Sequence, residues 1–112
     1  MIKIITLLNK KNSLTSDEFS RYWYQKHAPL VLQVWPAIKR YVQNHPVQLP
    51  GKKGNPKIDG LAEIYVDDVQ SWKEFADFYL SEEGRVIRED EDKFIERSKM
   101  VFFIAEEKVI KE

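Results

Sequence analysis

With no cysteine and two histidines in 112 residues, few side chains here can move a proton near neutral pH. His27 is the first of them. It closes a run in which Phe19, Tyr22, Trp23, His27, Leu30 and Val34 recur at steps of three and four, marking one buried face of a helix. Pro29 comes two residues later, without an amide donor and crowding the carbonyl of Gln25. The helix is expected to stop or kink there, with Ala28 pushed toward extended geometry. An imidazole at such a break can accept and return a proton, because its unperturbed pKa lies near neutrality. It can equally cap an orphaned carbonyl and fill space, and the residue alone leaves both readings open.

Asp90 is the next candidate. It belongs to the acidic run from Glu89 to Asp92, which as a run reads as a solvated helix face. Phe94 lies four residues on, however, so Asp90 and Phe94 share a face with Ile87 and the carboxylate can approach the core and orient an imidazole. Tyr22, Trp23, Tyr41, Tyr65, Trp72 and Tyr79 read first as core rings. Their polar tips at the edge of an apolar space also suit a small aromatic or carbonyl compound. No metal is expected: His27 and His45 stand eighteen residues apart, with no short His/Glu ligand spacing. No glycine-rich phosphate loop, GxSxG elbow or dinucleotide fingerprint is present, so no cofactor is expected either.

The elements that must position these groups can be read in order. Residues 2–9 form an apolar strand, ending in a loop to Ser13. Thr15 is the expected N-cap of the first helix, with Glu18 completing a capping box and Leu14 and Phe19 a hydrophobic staple. Leu30 to Trp35 forms a further short helical turn. Ile38 to His45 alternates as a strand at an edge or along a cavity. Pro46 to Lys57, with three prolines, two glycines and three lysines, is the long exposed loop. Asp59 to Val66 is the third strand, small on its Gly60, Ala62, Ile64 and Val66 face. Asp67 and Asp68 cap a second helix with Trp72, Phe75, Ala76 and Tyr79 on its buried stripe. Ser81 opens another helical stretch toward Phe94, Met100 to Ala105 is the last strand, and residues 106–112 form a charged tail.

The order β-α-β-β-α-β predicts one domain over residues 1–112. Its class is α+β, ferredoxin-like, a four-stranded antiparallel sheet with helices on one face. The first and last strands are apolar on both sides, and helices can cover only one. Two sheets are therefore expected to pack face to face in a homodimer. Eighteen basic and eighteen acidic residues cancel, which gives no general pull toward nucleic acid or an anionic membrane. No apolar span reaches the roughly 20 residues a membrane helix needs, and the absence of cysteine suits a reducing compartment. A cytoplasmic protein is expected.

These residues carry a resemblance. Leu14-Thr15-Ser16-Asp17-Glu18-Phe19, Tyr22-Trp23 with His27-Ala28-Pro29-Leu30-Val31, Arg40-Tyr41-Val42, Asp59 to Tyr65, and Ser81-Glu82-Glu83-Gly84 with Asp90 and Phe94 resemble, in that order, the EthD family of the dimeric α+β barrel superfamily. The likeness implies the barrel fold and a homodimer. It also implies cofactor-independent, monooxygenase-like oxidoreductase chemistry on a small apolar aromatic or carbonyl compound. On that reading His27 moves the proton, Asp90 orients it, and Tyr22, Trp23, Tyr41 and Phe94 contact the substrate. Similar barrels also imply two alternatives: a polyketide-cyclase-like or lyase reaction with the same base, and an accessory protein that binds a small ligand without changing it.

Overall fold

The structure, a computed structural model, describes residues 1–51 and 57–112. Four strands, β1 (Ile2–Leu8), β2 (Arg40–Asn44), β3 (Gly60–Val66) and β4 (Val101–Ala105), form one antiparallel sheet in the order β2-β3-β1-β4. The first crossover holds α1 (Ser16–Tyr22), a π-helical turn (Trp23–His27) and α2 (Ala28–Val34). The second holds α3 (Val69–Leu80), α4 (Arg85–Glu91) and a 3-10 turn (Arg97–Lys99). This is the expected split βαβ arrangement. The expected loop from Pro46 to Lys57 lies in part outside the described residues. Among the described residues, no helix is long and apolar enough to cross a membrane.

Strand alternation divides the two faces of the sheet. Ile4, Thr6 and Leu8 stand beside Ile64, Ala62 and Gly60, and this face takes the helices. The other face carries an ionic cluster at one end. There Lys3 Nζ donates to Glu63 at 2.7 Å and to Glu107 at 2.9 Å, and Tyr65 Oη donates to Glu107 at 2.7 Å. Glu63 therefore belongs to the outer face. The edge strand β4 is half exposed, with Phe102 and Phe103 at 52% and 51%.

The first helix starts as its sequence dictates. Thr15 Oγ1 accepts from the Glu18 amide at 3.1 Å and Glu18 accepts from the Thr15 amide at 2.9 Å, completing the capping box. The chain departs from the expectation at Pro29. It stays helical through the proline, and Ala28 has φ −58° and ψ −47°. The amide of Ala28 bonds back five residues to the Trp23 carbonyl, so the turn before the proline is wide. Pro29 then sits in the first turn of α2, where a missing donor costs nothing and the widened turn gives its ring room.

The wide turn moves the register. An unbroken α-helix drifts by about 40° for each four-residue step, or about 160° over four steps. Yet Phe19, Trp23, His27, Val31 and Trp35 are all buried, because the π turn takes up part of that drift. The buried positions after the turn are therefore Val31 and Trp35, each one residue later than the predicted Leu30 and Val34, which are only partly buried. Ser81 also differs from expectation. Its hydroxyl donates to the Phe78 carbonyl at 2.6 Å and ends α3, while Gly84 opens α4.

Gly60 marks the closest approach of helix and sheet. A Cβ built there would stand 2.6 Å from Cζ3 of Trp23, whose ring is fully buried among Phe19, Leu8 and Phe94. Gly60→Ala is expected to destabilise the fold by about 1–3 kcal/mol, the usual range for overpacking, read as a lower urea midpoint at unchanged slope.

Candidate active site

His27 reaches its position from the last residue of the π turn, and Asp90 meets it from α4. Asp90 Oδ2 accepts from His27 Nδ1 at 2.7 Å and Asp90 Oδ1 accepts from Tyr22 Oη at 2.5 Å. Both His27 and Asp90 are buried, at 5% and 8% exposure. Burial lowers the His27 pKa and outweighs the opposing pull of Asp90, so the ring is neutral. With Nδ1–H committed to the carboxylate, the free base is Nε2. Burial and then Asp90 push the Tyr22 hydroxyl up to about 12, so it remains a donor.

His27 lines a cavity of about 260 Å³ between sheet and helices together with Trp23, Val31, Trp35, Tyr41 and Trp72 among others. Nε2 has no hydrogen-bond partner among the described residues, yet it is not among the fully buried unpartnered polar atoms. It is therefore open to the cavity. No residue of α3 is fully buried, since its stripe of Trp72, Phe75, Ala76 and Tyr79 forms one wall of this space. Trp35 stacks on Phe75 with ring centroids 3.8 Å apart. An apolar cavity of roughly 150 Å³ holds benzene, so this one fits a single-ring or similarly small compound.

The predicted site residues divide into two groups. Trp23, His27 and Tyr41 line the cavity. Asp90, Tyr22 and Phe94 lie behind the histidine. Phe94 is completely buried and packs its ring 4.9 Å from that of His27 and 5.0 Å from that of Tyr22. Tyr22 and Phe94 therefore pack around the imidazole and its carboxylate partner, and neither is among the residues that line the cavity. The reason is packing: Tyr22 is one residue off the face that the π turn keeps inward, and its hydroxyl is held by Asp90.

One further residue, Glu91, is not singled out by the sequence as a site group. Glu91 and Tyr79 both line the cavity, and Tyr79 Oη donates to Glu91 Oε1 at 2.5 Å. Within its run of four acids Glu91 reads as solvated. The spacing of Ile87, Glu91 and Ile95, four residues apart on one face, is the signal that could have found it. Burial pushes its carboxyl up to about 7, with the charges of Asp92 and Asp90 adding, against the opposing effects of Tyr79 and Arg97. Arg97 opposes the rise through its charge alone. Its Nε lies 3.7 Å from Oε1 without a hydrogen bond, while its Nη1 is shared with Asp92. Among the described residues, no three His, Asp or Glu side chains converge as a metal site would require.

The EthD domain family model matches residues 11–98. A solved EthD family protein from Bacillus halodurans, 25% identical, superposes with a TM-score of 0.69 over 96% of this chain and 99% of its own. An EthD-like protein from Ralstonia eutropha, 17% identical, gives 0.73 over 98% of this chain and 94% of its own. A protein from Bacteroides fragilis described as dimeric and of ferredoxin-like fold, 11% identical, gives 0.61 over 94% of each chain. No curated protein matches.

The raised carboxyl of Glu91 has a consequence for stability. A carboxyl whose folded pKa exceeds its unfolded value favours folding fully below the unfolded pKa, and that contribution is lost as pH rises through the folded one. The rise from 4.5 to about 7 amounts to about 3 kcal/mol, at about 1.4 kcal/mol per tenfold change in proton affinity. Glu91→Gln lacks this loss. Urea titrations from acid pH to above 7 should show the variant gaining on the parent by a value of that order.

Proposed function

The chain belongs to the EthD family, and from that premise we propose that it is a cofactor-independent oxidoreductase of monooxygenase type. Its substrate is a small, largely apolar aromatic or carbonyl compound, and its base is His27. The observation that carries this reading is the division of labour on one imidazole: Nδ1 is held by the buried Asp90 and Nε2 opens on an apolar cavity. A base held in one tautomer and shielded from bulk water has the arrangement that general base catalysis requires.

The chemistry follows from those positions. His27 Nε2 takes a proton from an acidic C–H, Asp90 stabilises the imidazolium that results, and Tyr22 keeps Asp90 in place. The electron-rich anion left in the cavity reduces dioxygen. For an activated methylene, one methylene group and one dioxygen molecule give one carbonyl group and one water molecule. Both C–H bonds and the O–O bond break, one oxygen atom enters the product as the C=O, and the other leaves as water with the two hydrogens. The carbon gives up four electrons and dioxygen takes them. Trp23 and Tyr41 contact the substrate on this reading.

The protein works as a homodimer in the cytoplasm. Ile5, Leu7, Val42, Leu61 and Phe103 leave an apolar area on the outer sheet face, and β4 is exposed on both faces. The dimeric description of the Bacteroides fragilis relative supports a second sheet as the cover. Phe103→Lys is expected to convert the dimer to a monomer, as measured by light scattering.

His27→Ala should reduce turnover by roughly 10²–10⁴-fold while the variant still folds and dimerises, with oxygen uptake measured over a panel of small ketones and phenols. Full turnover in a folded His27→Ala variant would sink the assignment. Product formed without oxygen uptake would point to the cyclase or lyase reading. Binding without turnover would point to the accessory one.

A further inference from the structure

The mechanism above uses one wall of the cavity and leaves a second titratable group on it without a role. Glu91 is 8% exposed and lines the same space as His27. Its Oε1 is occupied by Tyr79. Its Oε2 has no hydrogen-bond partner among the described residues and is not among the fully buried unpartnered atoms. By the argument that applies to Nε2 of His27, Oε2 opens on the cavity. The remaining lining is hydrocarbon and aromatic apart from the Met100 thioether and the hydroxyls of Thr6 and Tyr41, the second of which accepts from Gln43 at 3.3 Å and keeps its own O–H as the rival donor that Glu91 variants must be read against.

We propose that Glu91 is the oxygen-binding group of this cavity: its neutral carboxyl donates from Oε2 to the carbonyl oxygen of an enolisable ketone whose α-carbon faces His27. This rests on the reading of His27 as the base and narrows the substrate from aromatic or carbonyl compounds to ketones with an acidic α-hydrogen. The step balances. The α-C–H bond breaks and its proton goes to Nε2, the electron pair forms the C=C bond of the enol, and the carbonyl oxygen takes the proton from Glu91. The catalytic centre then holds two groups with opposite tasks, a neutral imidazole that accepts and a neutral carboxylic acid that donates.

The surroundings fit a neutral acid near pH 7. Tyr79 on α3 hydrogen-bonds Oε1, Arg97 in the 3-10 turn approaches without bonding, Asp90 and Asp92 flank Glu91 on its own stretch of chain, and Tyr41 on β2 and His27 face it across the cavity. Burial dominates these influences and raises the carboxyl to about 7. Near neutrality the donor form is therefore well populated, whereas an ordinary glutamate would be ionised.

The probes are acetophenone and cumene, which share a phenyl ring bearing a branched substituent of three heavy atoms, a carbonyl oxygen in the first standing where the second has a methyl group. Their affinities are measured by titration calorimetry on the full chain at about pH 5.5 and about pH 8.5, either side of the carboxyl's titration. The acetophenone-to-cumene affinity ratio should fall about tenfold between the two, the worth of one buried hydrogen bond. Glu91→Gln, which keeps a donor that does not titrate, should hold the ratio high at both pH values, and Glu91→Leu should hold it low at both. A ratio unchanged by pH in the parent, or by Leu at position 91, overturns the proposal. His27→Ala should leave the ratio as it is. The oxygen-binding role thus fails or stands separately from the base, which is judged by turnover.

Discussion

The site is held by one buried carboxylate that serves two donors. Asp90 receives Tyr22 on one oxygen and His27 on the other, and the three side chains come from a helix, a π turn and a second helix more than sixty residues away. A buried carboxylate with no partners would be costly, so the fold must supply both donors together. That requirement ties α4 to the first helical segment and fixes the tautomer of His27 in the same act. The aromatic ring of Phe94 fills the space between the two donors, which leaves the imidazole little freedom to rotate.

The π turn is what lets a single helical segment meet this demand. A four-residue repeat of large side chains does not stay on one face of an ordinary helix. Widening the turn over Trp23–His27 keeps Phe19 and Trp23 in the core while aiming His27 and the residues after it at the cavity. The Trp23 carbonyl accepts the amide of Ala28 and also the Gln43 side chain at 3.1 Å. The distortion is thus anchored to β2. Gly60 completes the arrangement from the sheet, since only a residue without a side chain lets the Trp23 ring lie this close to β3.

Much of the fold was legible in the chain because its signals are local. The capping box at Thr15, the Asp68 cap that accepts from the Ser71 amide at 2.9 Å, the strand alternation and the element order all depend on neighbours in sequence. The His27–Asp90 pairing was half legible: shared spacing with Ile87 and Phe94 turned Asp90 inward, and the family likeness supplied its partner. What the chain hid depends on register and on distance. Pro29 reads as a break because its cost is that of a proline in a regular helix, and a π turn is not written in residue types. That one-residue shift moved burial from Leu30 and Val34 to Val31 and Trp35. Glu91 was hidden for a different reason, since four consecutive acids read as solvated until the packing of α4 against α3 shows which of them are not.

Asp90 and Glu91 show how adjacent carboxylates can be given different work. Successive residues of a helix point about 100° apart, so one faces the first helical segment and the other faces the cavity and α3. Asp90 meets two committed donors, one on each oxygen, and a lysine 3.9 Å away, Lys93. Glu91 meets one hydroxyl, an arginine that stops short of bonding, and apolar walls. The same functional group thus meets a donor on each oxygen in one place and is eased toward neutrality in the next. This difference in solvation, set by which side of α4 each residue occupies, is what allows one helix to orient a base and present an acid to a single small cavity.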